Sequence, residues 1–210
     1  MYRAGSAEFS RVVGFSDGVF AIAMTLLVIG VVVPSLSNPS SVRDLADALN
    51  DLLPNIISFF ISFAVIGRYW VAHHGFFARL GAVDRSLIGL NLVYLAFIAF
   101  LPFPTALLGE FFENPLSVAV YAVAVAIVSG LEVVMFRHAH RHDLMRETVP
   151  TDVYRWGVLL SLSPVLFFLI SVPIAFLSTT LAVVTWFLMF PFQMIADRFK
   201  PEGSDRYLWG

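Results

Sequence analysis

The chain has no cysteine and little charge. Of its 210 residues, 13% are charged, and the formal net charge is -2. Without cysteine there is no disulfide, no thiol nucleophile and no cysteine-ligated metal. Because there is no basic excess, the chain also lacks the electrostatic footprint of a nucleic-acid-binding protein. These absences exclude thiol enzymes and leave no nucleic acid among the expected partners.

Apolar residues are abundant instead. They make up 59% of the sequence, and the mean hydropathy is +0.83. A soluble domain of this size could not bury so much apolar surface. The composition therefore predicts an all-α integral membrane protein, with residues 1–210 forming a single domain in a lipid bilayer.

Six apolar stretches are long enough to span a membrane. From Phe15 to Val33, a helix would rise roughly 28 Å, the thickness of the hydrocarbon core. This first stretch is longer than the apolar region of a signal peptide, so we expect it to remain as a transmembrane helix. We expect Pro102 and Pro104 to close the third helix. The predicted helices are 8–33, 52–74, 85–104, 114–140, 152–177 and 180–197.

The basic residues predict the orientation of these helices. Of the 13 lysine and arginine residues, only Arg43 is not on the side of both termini. The positive-inside rule then predicts a multi-pass protein with both termini in the cytoplasm. In this arrangement the second-to-third connection holds Arg68, Arg79 and Arg85, and Arg206 follows the sixth helix. The opposite side is acidic, and we expect its carboxylates to concentrate cations at an extracellular mouth: Asp44, Asp47, Asp51, Glu110 and Glu113.

The first predicted helix has two distinct faces. At about 100° per residue, Ile22, Leu26 and Ile29 form one stripe, and Ser16 and Asp17 point away from it. A carboxylate inside an apolar helix is costly, which makes Asp17 a functional candidate. The aliphatic stripe could face lipid or other helices, or it could line a narrow apolar constriction around a symmetry axis.

Three stretches carry a resemblance to a known family. The segment Arg11-Val12-Val13-Gly14-Phe15-Ser16-Asp17 resembles the RxxxFSD signature that opens the pore helix of the transmembrane protein 175 family of potassium channels. The stretches YWVAHHGFF at 69–77 and NLVYLAFIAFLPFPTALLGE at 91–110 are similar to the second and third helices of its bacterial members. The resemblance implies a six-helix subunit and a homotetramer, with the first helix of each subunit lining a central pore.

The resemblance also implies roles for residues of the first helix. By position, Ile22 would form the narrowest ring, Leu26 and Ile29 the next two, and Thr25 would place a hydroxyl near the first ring. The glycine-rich carbonyl filter of ordinary potassium channels has no counterpart in the sequence. Because an apolar ring cannot replace a hydration shell, a permeating ion must stay mostly hydrated. We therefore expect potassium ions to be preferred only weakly over sodium, without any cofactor.

The polar residues of the motif are expected to fasten the first helix to its own subunit. Arg11, Ser16 and Asp17, with Phe15 between them, would form a polar network at the cytoplasmic end. Candidate partners lie near the same end on the second and third helices: Trp70, His73, His74 and Asn91. The alternative for Arg11 and Asp17 is an ordinary interfacial charge and an acidic residue favoured by the helix dipole.

Other functions remain open at this point. A secondary transporter or a proton-permeable channel would use a polar site near the membrane midplane. An intramembrane metal enzyme would use Glu132 with His138, His140 and His142. His138 and His142 have the four-residue spacing of a ligand pair, but a third ligand in suitable spacing is missing. Glu132 could instead pair with Arg137 or Arg155. The preferred interpretation is a potassium-preferring channel of the cell membrane that is not an enzyme and binds no metal.

Overall fold

The structure, a computed structural model, describes residues 1–204 and Tyr207. Arg206, which the charge pattern includes, lies outside the described residues. The elements in chain order are β1 (Tyr2–Arg3), α1 (Ala7–Leu26), a 3-10 turn (Leu27–Gly30), α2 (Val42–Asp51), α3 (Leu53–Ala78), β2 (Ala82–Val83), α4 (Arg85–Phe100), α5 (Pro102–Glu110), α6 (Pro115–Arg141), α7 (Thr151–Ala175) and α8 (Thr179–Asp197).

Six helical segments of the described chain are long and apolar enough to cross a bilayer. They are Ala7–Gly30, Leu53–Ala78, Arg85–Glu110, Pro115–Arg141, Thr151–Ala175 and Thr179–Asp197. The predicted all-α fold with six transmembrane helices is thus confirmed. The remaining helix, α2, is short and has no buried residue.

Two helix boundaries differ from the expectation for physical reasons. The first helix was predicted to reach residue 33, but α1 ends at Leu26 and continues only as the 3-10 turn to Gly30. Glycine and the β-branched Val31–Val33 that follow are poor helix formers, and Pro34 comes next. Pro102 does not end the third span: it lacks a backbone N–H, so the helix breaks at Leu101 and resumes as α5 up to Glu110.

The charge pattern grouped Arg68 with the connection between the second and third helices, although the predicted helix 52–74 includes it. In the structure α3 continues to Ala78, and Arg68 lies well within it. Ten residues of helix separate Arg68 from that end, which is about 15 Å. The guanidinium therefore starts from a position inside a transmembrane segment.

α6 is the central helix of the subunit. α4 and α5 pack on one side of it, and α7 packs along another with α8 outside. Of its most apolar window, 61% is buried, against 22% for the first span and 11% for the last. The packing leaves α1 at one edge of the subunit, against α3 and α4, with much of its surface uncovered.

Backbone hydrogen bonds outside the helices connect the start of α1 with the ends of α3 and α6. β1 pairs antiparallel with β2, with Tyr2 opposite Val83. Leu80 forms a bridge with Met145, and the Gly81 N–H donates to the Leu144 carbonyl over 2.7 Å. Because α1 begins a few residues after β1, its start is tied to both the α3–α4 connection and the end of α6.

Candidate functional site

Within the subunit, α1 has one buried and one uncovered face. Ser16 and Ala23 are fully buried, and Phe20 nearly so. On the other face Ile22 is 60% exposed, Leu26 40% and Ile29 68%. The aliphatic stripe is therefore only partly covered within one subunit, and its exposed part can face lipid or further subunits.

Thr25 lies on the uncovered face beside this stripe. Its hydroxyl donates a hydrogen bond of 2.8 Å to the Ile22 carbonyl one turn back. The bond satisfies the hydroxyl proton inside an apolar helix, and it leaves the oxygen lone pairs of Thr25 available on the exposed side.

A buried hydrogen-bonded chain connects α1, α4 and α3. The amide of Asn91 on α4 donates to the Ser16 hydroxyl over 3.0 Å, and the Asn91 carbonyl oxygen lies 2.8 Å from Nε2 of His73 on α3. The Ser16 hydroxyl donates in turn to the Val12 carbonyl. All three side chains are almost completely buried, so the chain fixes the register of α1 against two neighbours.

Aromatic rings hold His73 in this position. Its ring stacks on Phe77 with centroids 4.4 Å apart and lies nearly parallel to Tyr94 at 5.6 Å. Phe20 of α1 packs at 5.4 Å. The preferred offset and tilted geometries of such pairs restrict the imidazole and aim its Nε2 at Asn91.

Asp17 has a separate partner. The indole N–H of Trp70 donates to its carboxylate over 2.9 Å. His74 packs on the Trp70 ring at 5.7 Å and is exposed, whereas the adjacent His73 is buried. The two histidines thus face different sides of α3.

Arg11 and Phe15 do not join this network within one subunit. Both side chains are exposed, and among the described residues Arg11 has no hydrogen-bond or ion-pair partner. The polar fastening of α1 is therefore carried by Ser16 and Asp17, and the other two motif residues lie on its uncovered side.

The far end of α1 is fastened by Asn55, a residue that the sequence interpretation missed. Its amide donates to the Gly30 carbonyl over 3.2 Å. Gly109 allows this approach, because a Cβ there would lie 2.9 Å from the Cα of Asn55. Asn55 follows Pro54 at the start of α3, and an amide at the start of an apolar helix was the available signal.

Small hydroxyl side chains inside the bundle were also missed. Thr105 donates to Ser62 over 2.8 Å, and Ser62 donates to the Tyr121 hydroxyl over 3.1 Å. Tyr69 pairs with Ser129 nearby. These bonds join α3, α5 and α6. Serine and threonine side chains commonly form such hydrogen bonds between helices in membrane proteins.

The acidic residues expected at an extracellular mouth lie on the side opposite the termini. Asp44, Asp47 and Asp51 are on α2, Glu110 ends α5, and Glu113 lies in the turn that follows. All five are exposed. Asp47 approaches Arg43 at 3.9 Å, an exposed pair that leaves this surface acidic.

The histidines at the end of α6 make structural contacts. His138 Nε2 lies 3.0 and 3.1 Å from the two carboxylate oxygens of Asp84, His142 stacks on His138 at 4.1 Å, and His140 stacks on Tyr154 at 3.9 Å. Across residues 1–204 and Tyr207, no three His, Asp or Glu side chains are grouped closely enough for a metal ion.

Asp84 is the N-cap of α4 as well as the partner of His138. Partial burial opposes ionisation, but the hydrogen bond from the Leu87 N–H, at 2.6 Å, and the bond to His138 outweigh it. The pKa of the Asp84 carboxyl is therefore lowered. A charged carboxylate thus links the end of α6 to the beginning of α4.

Glu132 does not pair with either partner proposed from the sequence. Neither Arg137 nor Arg155 lies within ion-pair distance of it in the described chain. Glu132 instead lines a cavity of about 650 Å³ between α3, α6, α7 and α8, and one of its carboxylate oxygens is buried.

Comparison with known proteins gives a consistent result. The family described as "Endosomal/lysosomal potassium channel TMEM175" matches residues 11–102. A potassium channel of Streptomyces collinus is 41% identical over 121 residues, covering 58% of this chain and 57% of that protein. A potassium channel of Chamaesiphon minutus is 34% identical over 197 residues, covering 87% of this chain and 92% of that protein.

One solved structure and one longer relative support the same family. The crystal structure of a lysosomal potassium-selective channel TMEM175 homolog from Chamaesiphon minutus superimposes with a TM-score of 0.72 and 32% identity, covering 91% of this chain and 99% of that chain. The human "Endosomal/lysosomal proton channel TMEM175" is 31% identical over 156 residues, which span 70% of this chain and 31% of that longer protein. The resemblance inferred from residues 11–17 is confirmed.

Proposed function

Because the chain belongs to the TMEM175 family of cation channels, we propose that it conducts potassium ions in preference to sodium, passively, through a pore lined by α1. The family is one of channels and not of enzymes. Two relatives named potassium channels and a potassium-selective structural match support the choice of ion.

The observation that carries the proposal is the uncovered aliphatic face of α1. Ile22, Leu26 and Ile29 are exposed in the subunit, whereas Ser16 and Asp17 of the same helix are hydrogen-bonded to neighbouring helices. Copies of this helix around an axis would enclose an apolar constriction. The proposed assembly is a homotetramer, with Ile22 forming the narrowest ring and Thr25 beside it.

An apolar constriction of this kind selects by dehydration. It offers no oxygen ligands, so the barrier depends on how readily each cation deforms its water shell. Potassium is held less tightly by water than sodium, so it passes more easily. Selectivity is correspondingly modest, and no cofactor takes part.

The surroundings of the pore follow from the charge pattern. We place both termini in the cytoplasm of a cell whose plasma membrane holds the protein. The exposed carboxylates of α2 and of the α5–α6 turn then face outside, where they raise the local cation concentration. Proton permeation is a second candidate, supported by the relatives that are named proton channels.

Ion flux into liposomes tests the proposal directly. Ile22→Asn should wet the constriction and bring the potassium-to-sodium permeability ratio close to one, while total cation flux is kept or increased. Ile57→Asn on α3 is the matched control, because Ile57 is similarly exposed but lies on another helix. Unchanged reversal potentials in mixed potassium and sodium for Ile22→Asn would remove Ile22 from this role.

The same preparation distinguishes the rival functions. A pH-sensitive dye inside the liposomes reports proton entry, and it should respond more weakly than the potassium signal if potassium is the main permeant ion. Saturable flux coupled in fixed stoichiometry to a second solute would indicate a transporter instead.

A further inference from the structure

A large cavity opens on the side of the subunit away from the exposed face of α1. It has a volume of about 650 Å³ and lies between α3 on one side and α7 and α8 on the other, with α6 as its floor. This volume is within the range of about 300–1,000 Å³ that takes small-molecule ligands. In a bilayer, the cavity is too large to stay empty.

The walls of the cavity differ from one end to the other. Toward the side opposite the termini they are apolar and aromatic, with Phe60, Phe168 and Trp186. Toward the side of the termini they carry two cations, Arg68 and Lys200, and two carboxylates, Glu132 and Asp197. An occupant that satisfies both ends has an apolar tail and a polar headgroup that carries both signs of charge.

Arg68 is the residue that identifies the polar group. It lies inside the α3 span, its side chain is exposed, and it has no hydrogen-bond or ion-pair partner in the described part of the chain. A guanidinium at this depth is costly unless it reaches the interface and meets an anion. Its planar donors match a phosphate group in bidentate geometry.

We propose that this cavity binds a membrane glycerophospholipid, with its phosphate on Arg68 and an acyl chain between α3 and the α7–α8 pair. A zwitterionic headgroup suits this lining, because its phosphate can meet Arg68 while its ammonium group faces the carboxylates of Glu132 and Asp197. The inference requires that the protein is embedded in a membrane, and it does not depend on which ion is conducted.

Native mass spectrometry of the purified, delipidated oligomer tests the proposal. The probes are dioleoyl phosphatidylethanolamine and dioleoylglycerol, which has the same chains but no phosphate. The phospholipid should remain bound and the diacylglycerol should not. Arg68→Gln should weaken phospholipid retention about tenfold, the effect of losing a charge-assisted contact, and Arg68→Lys should restore most of it.

Two further variants separate the site from general effects. Ala64→Trp, on the cavity-lining face of α3, should block retention by filling the space. Arg137→Gln, an exposed arginine on α6 that does not line the cavity, should leave retention unchanged. Equal retention of both probes, or retention unaffected by Arg68→Gln, would overturn the proposal. So would loss of the oligomer with Arg68→Gln at unchanged lipid retention, because Arg68 would then pair with another subunit.

Discussion

At the scale of single residues, Ser16, Asn91 and His73 depend on one another. Each is almost fully buried, and Asn91 bonds to both of the others. A buried polar atom that loses its partner costs more than the bond it made, since water cannot easily take the partner's place. Asn91 lies in the middle of this chain of hydrogen bonds, so its loss leaves the most polar atoms without a partner.

Asn91→Leu should destabilise the protein by about 1–3 kcal/mol, because Ser16 and His73 each lose a partner while the side-chain volume is kept. The measurement is the thermal midpoint of the purified protein, followed by size-exclusion chromatography after heating. Asn50→Leu, at the exposed end of α2, is the control. Equal midpoints for both variants would show that the buried chain contributes nothing.

The Trp70–Asp17 contact can be measured by a double-mutant cycle. Trp70→Phe keeps an aromatic ring and removes the indole donor, and Asp17→Ala removes the carboxylate that accepts from it. If the 2.9 Å bond stabilises α1, the two changes should be non-additive, with a coupling free energy of about 1 kcal/mol in thermal unfolding. Additive effects would mean that the Asp17 carboxylate acts elsewhere.

The sequence predicts the faces of α1 but not the partners of its residues. Helical periodicity alone separates Ser16 from Ile22, because positions six apart lie on different sides. Pairing Ser16 with Asn91, 75 residues away, requires the packing of three helices, which no local pattern specifies. Arg11 has no partner within the described part of one subunit, so its place in the network stays a prediction, made from its charge and not from its orientation.

At the scale of helices, the ends are set by identifiable residues. Ser6, Ser41, Asp84, Asn114 and Ser178 each cap a helix through a side-chain oxygen. Asp84 is unusual among them because its carboxylate also binds His138 of another helix. A single charge thus fixes both the start of α4 and its position beside α6.

The lowered pKa of Asp84 gives this link a pH dependence. Its stabilising contribution is complete above the usual aspartate pKa of about 3.9 and is lost as the pH falls through the lowered value. Asp84→Asn keeps a capping side chain but removes the charge. The thermal midpoint of the wild type should therefore exceed that of the variant at neutral pH, and the gap should close below about pH 4.

A midpoint difference that stays constant down to pH 3 would contradict this assignment to the charge. Asp44→Asn provides the control, because Asp44 lies in the first turn of an exposed helix without such a partner. The effect of Asp44→Asn on the thermal midpoint should be small at every pH.

Helix number followed directly from hydropathy, whereas helix breaks did not. Proline at 102 was expected to end a span, yet Thr105 and Leu108 of α5 are buried and hold the chain in line after the break. Tertiary contacts of this kind override a local breaker. The α3 boundary differed in the opposite direction, because the helix was predicted to end at residue 74 and continues to Ala78.

At the scale of the whole molecule, the subunit has a tightly packed part and an open part. α6 is mostly enclosed, while α1 and α8 are largely uncovered at opposite edges. The exposed aliphatic side chains of α1 are compatible with assembly, and those of α8 with lipid. Hydropathy could not assign these edges, because it reports how apolar a helix is and not which neighbour covers it.

The proposed orientation can be tested without background labelling, because the chain has no cysteine. Ser40→Cys, in the α1–α2 loop, should react with a membrane-impermeant maleimide on intact cells. Thr148→Cys, in the α6–α7 loop, should react only after the membrane is opened. Both positions are exposed, so the reverse pattern would place the termini outside.

The fastening of α1 at two heights has a mechanical consequence. Asp17 and Ser16 hold one end to α3 and α4, and Gly30 is held at the other end by Asn55 of α3. Turning α1 about its own axis would break all three attachments at once. If copies of α1 surround a pore as proposed, widening of that pore moves α1 together with α3 and α4 as one rigid unit. Probes on these helices would then keep their mutual spacing while they move away from the neighbouring subunit.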